Sequence, residues 1–525
     1  MKRKRMKNRI WLVLLCLVTA LAVICLGGCG SGGSGSENDE DTLVYGSGDY
    51  TAINPALYEH GEINSLIFAG LTAHNEKNQV VPGLAESWKW NDSTRTYTFK
   101  LRKGLTFHDG EPLTSSDVKF TLNAITDPDN QSEIASNYRD IRKITCPDKE
   151  TVRITLKQPN VAFPDYMTIG ILPEHLLKGK NLAEDDFNRE PVGAGPYRLT
   201  AWDEGQSITL EPFDEYYKGK PHIKKIIFKI VEDTDARAAQ LEAGDLDMAQ
   251  ITPKDAVEVR KNDDYTVYNM KTADYRAIAY NFHSSLFKKY PELSNILSYA
   301  IDRKTILKSV QLGEGQVAYS PIQKNKYNDP DMERFSYNPD QCEKLLKEDG
   351  WKKDKDGFYE KNGDQLKLTI WAMEDDQLRV DMAKMCAEQL KKVGVRAEAK
   401  ARQELDWENQ DCCIIGWGSP FDADDHTYKI FTTDGGDNYT YYSNAAVDRT
   451  LTNARREEDS QKRAAWYKRF QEELSEKMPY TFITYVDADY AVKKGITGIT
   501  PNTILGHHGV GVFWNIADWK ITSGK

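Results

Sequence analysis

The segment from Cys412 to His426 combines an apolar run with aromatic, hydroxyl and acidic side chains. Its apolar part, Cys412–Ile415, predicts a buried strand that ends at Gly416 and Trp417, and ligands of α/β proteins often contact residues at such strand ends. A tryptophan ring offers a rigid apolar wall, and carboxylates that follow it can hold a cationic group. The candidate ligand-binding residues of this segment are Trp417, Ser419, Asp422 and Asp424.

Further candidates for ligand contact lie in loops elsewhere in the chain. An arginine that faces a cleft can bind a carboxylate through two parallel hydrogen bonds, and a tyrosine ring can form an apolar wall at small entropic cost. Each of these side chains is equally consistent with a solvated charge or a packed ring. The candidates are Tyr50, Asn54, Arg139, Tyr319, Asn438 and Tyr439.

Two groups of residues are weak candidates for metal ligation. One is Asp424, Asp425 and His426, and the other is the adjacent pair His507 and His508. Adjacent residues on a strand point to opposite faces of the sheet, so two such histidines would not share one ion. A structural zinc site also needs four converging ligands. The sequence therefore predicts no resident metal and no cofactor.

Common catalytic motifs do not support an enzyme. The sequence contains no G-x-S-x-G, H-E-x-x-H or G-x-x-x-x-G-K-[ST] motif and no pair of C-x-x-C motifs. Glycoside hydrolysis needs only two suitably separated carboxylates and leaves no comparable signature. We therefore expect a protein that is not an enzyme, with a secreted hydrolase as a distant alternative.

The N-terminus is typical of a secreted lipoprotein. Basic residues precede the uncharged run Ile10–Leu26, as in a secretory signal. The run ends in Leu-Gly-Gly-Cys29, which resembles a lipobox, whose cysteine receives the lipid and becomes the first mature residue. The sequence thus predicts a signal peptide at 1–28, a Gly/Ser and acidic tether at 29–41, and a lipid anchor on the outer face of the cell membrane. In a Gram-negative host this location is the periplasm.

Composition limits the partners of the chain. The 525 residues contain 69 Lys and Arg against 80 Asp and Glu, a formal charge of −11, and loss of the basic signal makes the mature chain more acidic. This charge disfavours nucleic acid and anionic lipid surfaces as partners. The length implies two or more domains. The cysteines after Cys29 form no C-x-x-C motif and are expected as free thiols: Cys146, Cys342, Cys386, Cys412 and Cys413.

Hydrophobic periodicity predicts alternating helices and strands, which is typical of α/β or α+β layers. A strand is expected at Thr42–Gly46, a hairpin over residues 87–101, and a helix capped by Ser115 or Ser116. Further helices are predicted at 235–243, 293–311, 339–350, 376–393 and 460–477. Further strands are predicted at 226–231, 277–282, 366–371 and 412–417.

Several sequence blocks occur in order along almost the whole mature chain. They are Gly83–Trp88, Tyr97–Gly110, Leu113–Phe120, Gly193–Arg198, Gln240–Asp247, Leu297–Arg303, Tyr337–Asp340 and Asn438–Asp448. Together they resemble the bacterial extracellular solute-binding proteins of family 5, which bind dipeptides, oligopeptides and nickel complexes.

This resemblance implies a two-lobed α/β fold of the periplasmic-binding-protein type, type II, in its large peptide-binding subclass. The N-terminal lobe would comprise residues 42–275 with an extra subdomain at 55–185, the second lobe residues 276–482, and the return to the first lobe residues 483–525. A monomer of this class closes over its ligand and delivers it to the permease subunits of an ABC importer.

The resemblance leaves the ligand class open. In peptide-binding relatives a carboxylate three residues after the tryptophan pairs with the α-amino group of the ligand, but Pro420 occupies this position here. Asp422, Asp424 or Asp425 can substitute if the loop shifts. Alternatively, the Trp-Gly-x-Pro-Phe-Asp pattern is similar to the nickel-chelate and metallophore branch, in which arginines hold chelator carboxylates. Di- and oligopeptides are the expected ligands, and nickel chelates or metallophores are the alternative.

Overall fold

The computed structural model describes residues 41–58, 61–332 and 335–522. The predicted signal peptide, Cys29, almost all of the tether and residues 523–525 lie outside these ranges. Within them, every helix is too short or too polar to cross a membrane.

Strands are found along the whole described part of the chain. They are β1 (Thr42–Ser47), β2 (Thr72–His74), β3 (Val80–Pro82), β4 (Ala85–Asn91), β5 (Thr96–Leu101), β6 (Ile141–Asp148), β7 (Thr151–Leu156), β8 (Tyr197–Asp203), β9 (Ser207–Pro212), β10 (Lys225–Ile230), β11 (Met248–Ile251), β12 (Tyr265–Tyr280), β13 (Gln316–Val317), β14 (Lys352–Lys353), β15 (Tyr359–Lys361), β16 (Asp364–Gln365), β17 (Lys367–Met373), β18 (Arg396–Arg402), β19 (Cys412–Trp417), β20 (Tyr480–Lys493), β21 (Ile496–Thr497) and β22 (Lys520–Ile521).

Helices alternate with these strands. They are α1 (Asn64–Ile67), α2 (Ser115–Thr126), α3 (Ala135–Tyr138), α4 (Phe163–Tyr166), α5 (Glu174–Leu177), α6 (Thr234–Glu242), α7 (Pro253–Val259), α8 (Ser285–Lys289), α9 (Leu293–Ser298), α10 (Arg303–Val310), α11 (Pro339–Glu348), α12 (Gln377–Lys392), α13 (Asp425–Phe431), α14 (Ala445–Arg456) and α15 (Ser460–Glu476).

Most of the predicted elements are confirmed. The hairpin forms from β4 and β5, and the predicted strands correspond to β1, β10, β17, β19 and the end of β12. The predicted cap of α2 is wrong, because Thr114 and not a serine precedes the helix. Thr114 and Asp117 form a capping box, in which the Asp117 carboxylate accepts the Thr114 N–H at 2.8 Å.

The prediction of a single helix over 293–311 is wrong, because the helix is interrupted between α9 and α10. The break leaves helix carbonyl groups without helical partners. The buried Arg303 guanidinium donates to the Ser298 carbonyl at the end of α9 at 3.2 Å and to the Ile301 carbonyl between the helices at 3.3 Å. A buried arginine at the start of α10 therefore stabilises the interruption.

One mixed sheet contains eleven of the described strands, in the order β18-β17-β19-β12-β20-β11-β1-β10-β9-β8, with β13 beside β20. The long strands β12 and β20 pair antiparallel through most of their length. The end of β12 also pairs with β19, and the end of β20 pairs with β11. This strand pair therefore connects the two halves of the sheet.

Buried hydrophobic side chains in the described residues form two large clusters. One consists of side chains between Tyr275 and Tyr485. The other consists of side chains between 43 and 228, together with Met248, Met270 and the segment 488–519. We call the elements around the second of these clusters the N-terminal lobe and those around the first the second lobe. The four-stranded sheet β4-β5-β7-β6 belongs to the N-terminal lobe.

Glu62 fixes the last segment of the chain to the N-terminal lobe. Its carboxylate accepts the Gly511 N–H at 3.0 Å and the Val512 N–H at 3.3 Å. Burial raises the pKa of the Glu62 carboxyl to about 7, although these two N–H groups favour its ionised form. The folded protein thus holds a proton on Glu62 at pH values at which the unfolded chain has released it.

We predict that Glu62 makes the free energy of unfolding depend on pH. Its contribution is complete below the unfolded pKa of 4.5 and is lost as pH rises through about 7. Between pH 4 and pH 8, the stability of Glu62→Gln relative to the wild type should rise by about 3 kcal/mol. Guanidinium denaturation at several pH values measures this difference. Glu86→Gln, at an exposed position, is the control. If the difference in unfolding free energy from the wild type did not change with pH for either variant, the assignment would be contradicted.

Candidate functional site

Four aromatic side chains meet where β19 ends. The Trp417 ring, 8% exposed, lies nearly parallel to Tyr439 at 6.1 Å and to His507 at 6.1 Å, and His426 meets it edge-on at 5.8 Å. We call these four residues the Trp417 ring set. Trp407 extends it by stacking on Tyr439 at 4.5 Å. The set joins second-lobe residues to His507 of the returning segment.

The ring set lies beside a bulge in the strand pair that links the lobes. The register of β12 against β20 shifts between Lys271 and Tyr275, and the extra residues turn Asp274 toward the returning segment. The Asp274 carboxylate pairs with Arg276 and with His507 Nδ1, the latter at 2.8 Å. Burial alone raises the pKa of the Asp274 carboxyl, but Arg276 and His507 hold it well below its usual value.

His507 and His508 do not occupy a strand, so the prediction that they point to opposite faces is wrong. They lie in a short 3₁₀ turn in which His508 has φ of +56°, and their ring centroids are 3.9 Å apart. The Asp274 carboxylate accepts the His508 N–H at 3.0 Å and thereby fixes the turn. Burial lowers the pKa of His507 to about 4, so this imidazole is neutral at pH 7.

Glycines on both sides of Trp417 allow the close packing of this region. A Cβ on Gly416 would lie 2.3 Å from Arg276 Nη1 and 3.1 Å from His507 Cε1. Gly418 has φ of +156°, and a Cβ there would lie 1.9 Å from the Ala273 carbonyl oxygen of the bulge. Ser419 follows, with its Oγ accepting the Phe421 N–H at 3.3 Å.

The Asp422 carboxylate is paired within the second lobe. Arg463 of α15 donates to both of its oxygens, at 2.5 and 2.6 Å. Burial opposes ionisation of Asp422, but the Arg463 guanidinium more than offsets this effect, and the pKa of the carboxyl is lowered. Asp422 therefore already has a cationic partner from the protein.

The Asp424 carboxylate is paired both within its lobe and across the lobes. Arg455 Nε and Nη2 donate to it at 3.0 and 2.6 Å, and the Tyr166 hydroxyl of the N-terminal lobe donates to it at 2.6 Å. Arg455 Nη1 also donates to Asp140 of the N-terminal lobe at 3.3 Å. We call Asp140, Tyr166, Asp424 and Arg455 the interlobe clasp.

One of these three predicted ligand residues bonds across the lobes, a second packs in the N-terminal lobe and a third lies within the second lobe. Arg139 donates to the Asp434 carbonyl across the lobes at 2.8 Å, with its guanidinium 5.5 Å from the Tyr428 ring. Tyr50 packs on the N-terminal core, edge-on to Phe228 at 6.3 Å. Tyr319 lies 5.2 Å from the Arg303 guanidinium.

The two predicted asparagines take part in local hydrogen-bond networks. Asn54 is buried, donates to Asn188 Oδ1 at 3.0 Å and accepts the Ala56 N–H at 3.1 Å. Asn438 donates to Tyr442 O at 2.7 Å and accepts from the Tyr442 N–H at 3.1 Å. Both amides therefore support loop conformation.

No group of three or more His, Cys, Asp or Glu side chains suited to hold a metal occurs among the described residues. The expected free thiols are confirmed for Cys146, Cys342, Cys386, Cys412 and Cys413.

Sequence reasoning did not identify Asp274, Arg276, Arg455 and Arg463. A usable signal existed for the last two, since carboxylates that follow a buried strand require cationic partners if they too are buried. The sequence does not show which of the many arginines supply the charge. That choice depends on how α14 and α15 pack.

The fold and the site together define a two-lobed binding protein with aromatic and charged groups at the junction of its lobes. A profile of the bacterial extracellular solute-binding proteins, family 5 Middle, matches residues 79–439. The chain belongs to this family.

Individual relatives resemble the chain along nearly its whole length. The oligopeptide-binding protein AppA of Bacillus subtilis is 29% identical over 98% of this chain and 99% of its own. Its structure with a nonapeptide has a TM-score of 0.81 over 92% of this chain and 99% of its own. The structure of NikZ from Campylobacter jejuni with Ni(L-His) is 34% identical, with a TM-score of 0.86 over the same shares.

These findings confirm the predicted two-lobed α/β fold and the general function. The protein is the extracytoplasmic solute-binding component of an ABC importer, and its partners are a solute and permease subunits.

We predict that Gly418→Ala disrupts the contact between the loop and the bulge. The added Cβ meets a backbone carbonyl, so the loss in unfolding free energy should be at least about 2 kcal/mol. Gly205 has φ of +67°, and a Cβ there would have no atom within 4 Å, so Gly205→Ala should cost only about 1 kcal/mol. Denaturant unfolding compares the two variants, and equal losses would show that the close approach at Gly418 is unimportant.

Proposed function

We propose that the protein is a lipid-anchored, non-enzymatic receptor that binds a small complex of a divalent metal with an amino acid, such as nickel with histidine, and delivers it to the importer. The junction beside the Trp417 ring set is the proposed binding site. The observation that carries the ligand class is the pairing of Asp422 and Asp424 with Arg463 and Arg455. A ligand ammonium would compete with guanidinium groups at both carboxylates.

A metal complex of an amino acid avoids this competition. Its amino group is coordinated to the metal, so it presents no unpaired ammonium that needs a buried counter-charge. The ring set offers flat surfaces and a neutral His507 imidazole, the form that metals bind. The likeness to the nickel–histidine complex of NikZ supports the same ligand class.

Di- and oligopeptides are the second candidate. The likeness to AppA along nearly the entire chain favours them. Arg139 would then be available to a peptide carboxylate once the lobes open, with Tyr50 and Tyr319 as proposed further contacts. Asn54, Asn438 and Ser419 would contribute to the site by holding its loops.

The lobe boundaries are part of this proposal. We place the N-terminal lobe at 42–275 with an extra subdomain at 55–185, the second lobe at 276–482 and the return at 483–525. The division of the buried side chains into two clusters, with changes near Tyr275 and after Tyr485, supports the separation of the two lobes.

We predict that nickel with L-histidine raises the melting temperature of the purified protein. Nickel chloride alone, L-histidine alone, a dipeptide and a nonapeptide should leave it unchanged. Binding to the folded state adds about 2.7 kcal/mol at 100 times Kd, which is several degrees in a thermal scan. His507→Gln should weaken binding at least about tenfold, a loss in the range of a truncated buried contact.

His175→Gln, in the N-terminal lobe and paired with Asp109, is the matched control. A shift produced by a peptide without metal would reject the chelate in favour of the second candidate. Turnover of a glycoside or ester would reject the receptor function itself.

We predict that Cys29→Ala moves the protein from the membrane fraction to the soluble fraction, because the thiol is the proposed site of lipidation. Fractionation of cells followed by immunoblotting measures this change. The control is Cys146→Ala, since Cys146 lies in β6 of the N-terminal lobe. Continued membrane retention of the Cys29 variant would show that the anchor is a different one.

A further inference from the structure

The interlobe clasp contains groups from both lobes that bond to each other. Tyr166 and Asp140 belong to the N-terminal lobe, while Asp424 and Arg455 belong to the second lobe. Nearby, the Val161 N–H donates to the Arg455 carbonyl at 2.9 Å, and Arg456 donates to Gln158. The contact therefore includes both side-chain and main-chain groups.

Arg455 is held in place by its own lobe. Its guanidinium lies over the Tyr428 ring at 3.3 Å. The Nε and Nη2 groups of the guanidinium donate to Asp424 and fix its orientation. Its remaining Nη1 is thereby directed at Asp140. Because the fork is already oriented, little side-chain entropy is lost when the lobes meet.

Burial makes the cross-lobe bonds strong. Arg455 is 5% exposed and Asp424 is 1% exposed, so hydrogen bonds to these ions form in a region of low effective dielectric. A hydrogen bond to a charged group contributes more than one between neutral groups. Separation of the lobes exchanges these bonds for bonds to water.

We propose that Arg455 is a positioning residue that sets the affinity of the receptor by stabilising the closed arrangement of its lobes through Asp140 and Tyr166. The proposal rests on the proposed function only in that the ligand binds between closing lobes. The clasp bonds join protein groups to protein groups, so they act in the same way whichever ligand is bound.

The population of the closed form scales the apparent affinity. When only a fraction of the molecules is competent to bind, the apparent dissociation constant equals the intrinsic one divided by that fraction. Loss of a clasp bond should therefore lower the affinity for every ligand by the same factor. A residue that touches the ligand should instead change one ligand more than another.

The test uses variants of the N-terminal lobe, because these leave the Arg455–Asp424 pair intact. Tyr166→Phe removes the cross-lobe hydrogen bond to Asp424. Asp140→Asn replaces the carboxylate that accepts from Arg455 with a neutral amide. Tyr197→Phe is the matched control, since the buried Tyr197 hydroxyl donates to Ile223 O of its own lobe at 3.2 Å. Each protein is refolded from guanidinium chloride to remove co-purified solute.

Small-angle X-ray scattering without added ligand is the first measurement. Tyr166→Phe and Asp140→Asn should show a larger radius of gyration than the wild type, while Tyr197→Phe should not. Calorimetric titration with the nickel–L-histidine complex is the second, with an expected loss of up to about tenfold for each clasp variant. Arg455→Lys keeps the charge without the fork and should show a smaller loss than Arg455→Met.

Equal radii of gyration for the wild type and both clasp variants would overturn the proposal. Unchanged affinity in variants that fold normally by circular dichroism would do the same. Because the scattering experiment needs no ligand, a failure of nickel–histidine to bind would reject the proposed ligand class and leave the clasp to be judged by its own result.

Discussion

The pairing of β12 with β20 is the interaction on which the rest of the architecture depends. These strands contribute side chains to both hydrophobic cores, so each lobe is anchored to the same hydrogen-bonded ladder. The ladder is interrupted at residues 272–274, where Thr272 Oγ1 donates to the Val486 carbonyl at 2.6 Å. A bulge bends a strand locally and redirects its side chains. Here it places Asp274 at the level where the lobes meet.

Charge pairing in low dielectric explains the composition of the site. A buried carboxylate without a partner is strongly destabilising, and three of those near the junction are paired with guanidinium groups. Asp274 has Arg276, Asp422 has Arg463, and Asp424 has Arg455. The acidic side chains that the sequence predicts as ligand contacts are therefore already neutralised by arginines of the protein. What remains around Trp417 is mainly flat aromatic surface, and the Lys429 ammonium 5.9 Å from the ring is itself paired with Asp437. Such surroundings suit a ligand whose own charges are already compensated.

Local features could be predicted from the sequence, and features set by distant residues could not. The β4–β5 hairpin follows from alternation and turn residues within 15 positions, so the sequence predicts it correctly. The break before Arg303 could not be recognised, because this arginine also donates to the carbonyls of Phe335 and Phe482. The first half of β12 escapes prediction since its residues, including Asn269 and Lys271, show no clear apolar face.

The candidate site shows the same division. The apolar strand before Trp417 is enough to predict this residue as a ligand-contact candidate. The segment with His507, in contrast, is wrongly predicted as a strand. Asp274 bonds to the turn that this segment forms and Glu62 holds the residues that follow it, and both carboxylates lie in other parts of the chain. The partners of Asp424 are equally hidden, since Asp140, Tyr166 and Arg455 come from three separate elements. Sequence patterns report burial along one element and not the partner that another element supplies.

The separation of ring set and clasp has a functional consequence. Groups that touch a ligand determine which ligand is preferred, because their contacts differ from one ligand to another. Groups that join only the lobes change the population of the closed form and so affect all ligands alike. Under the proposed function the two tasks fall on different residues of this chain, since Trp417 and His507 lie at the bulge and Arg455 lies on α14. A substitution in the ring set can therefore change which ligand is preferred while the closing contact keeps its geometry.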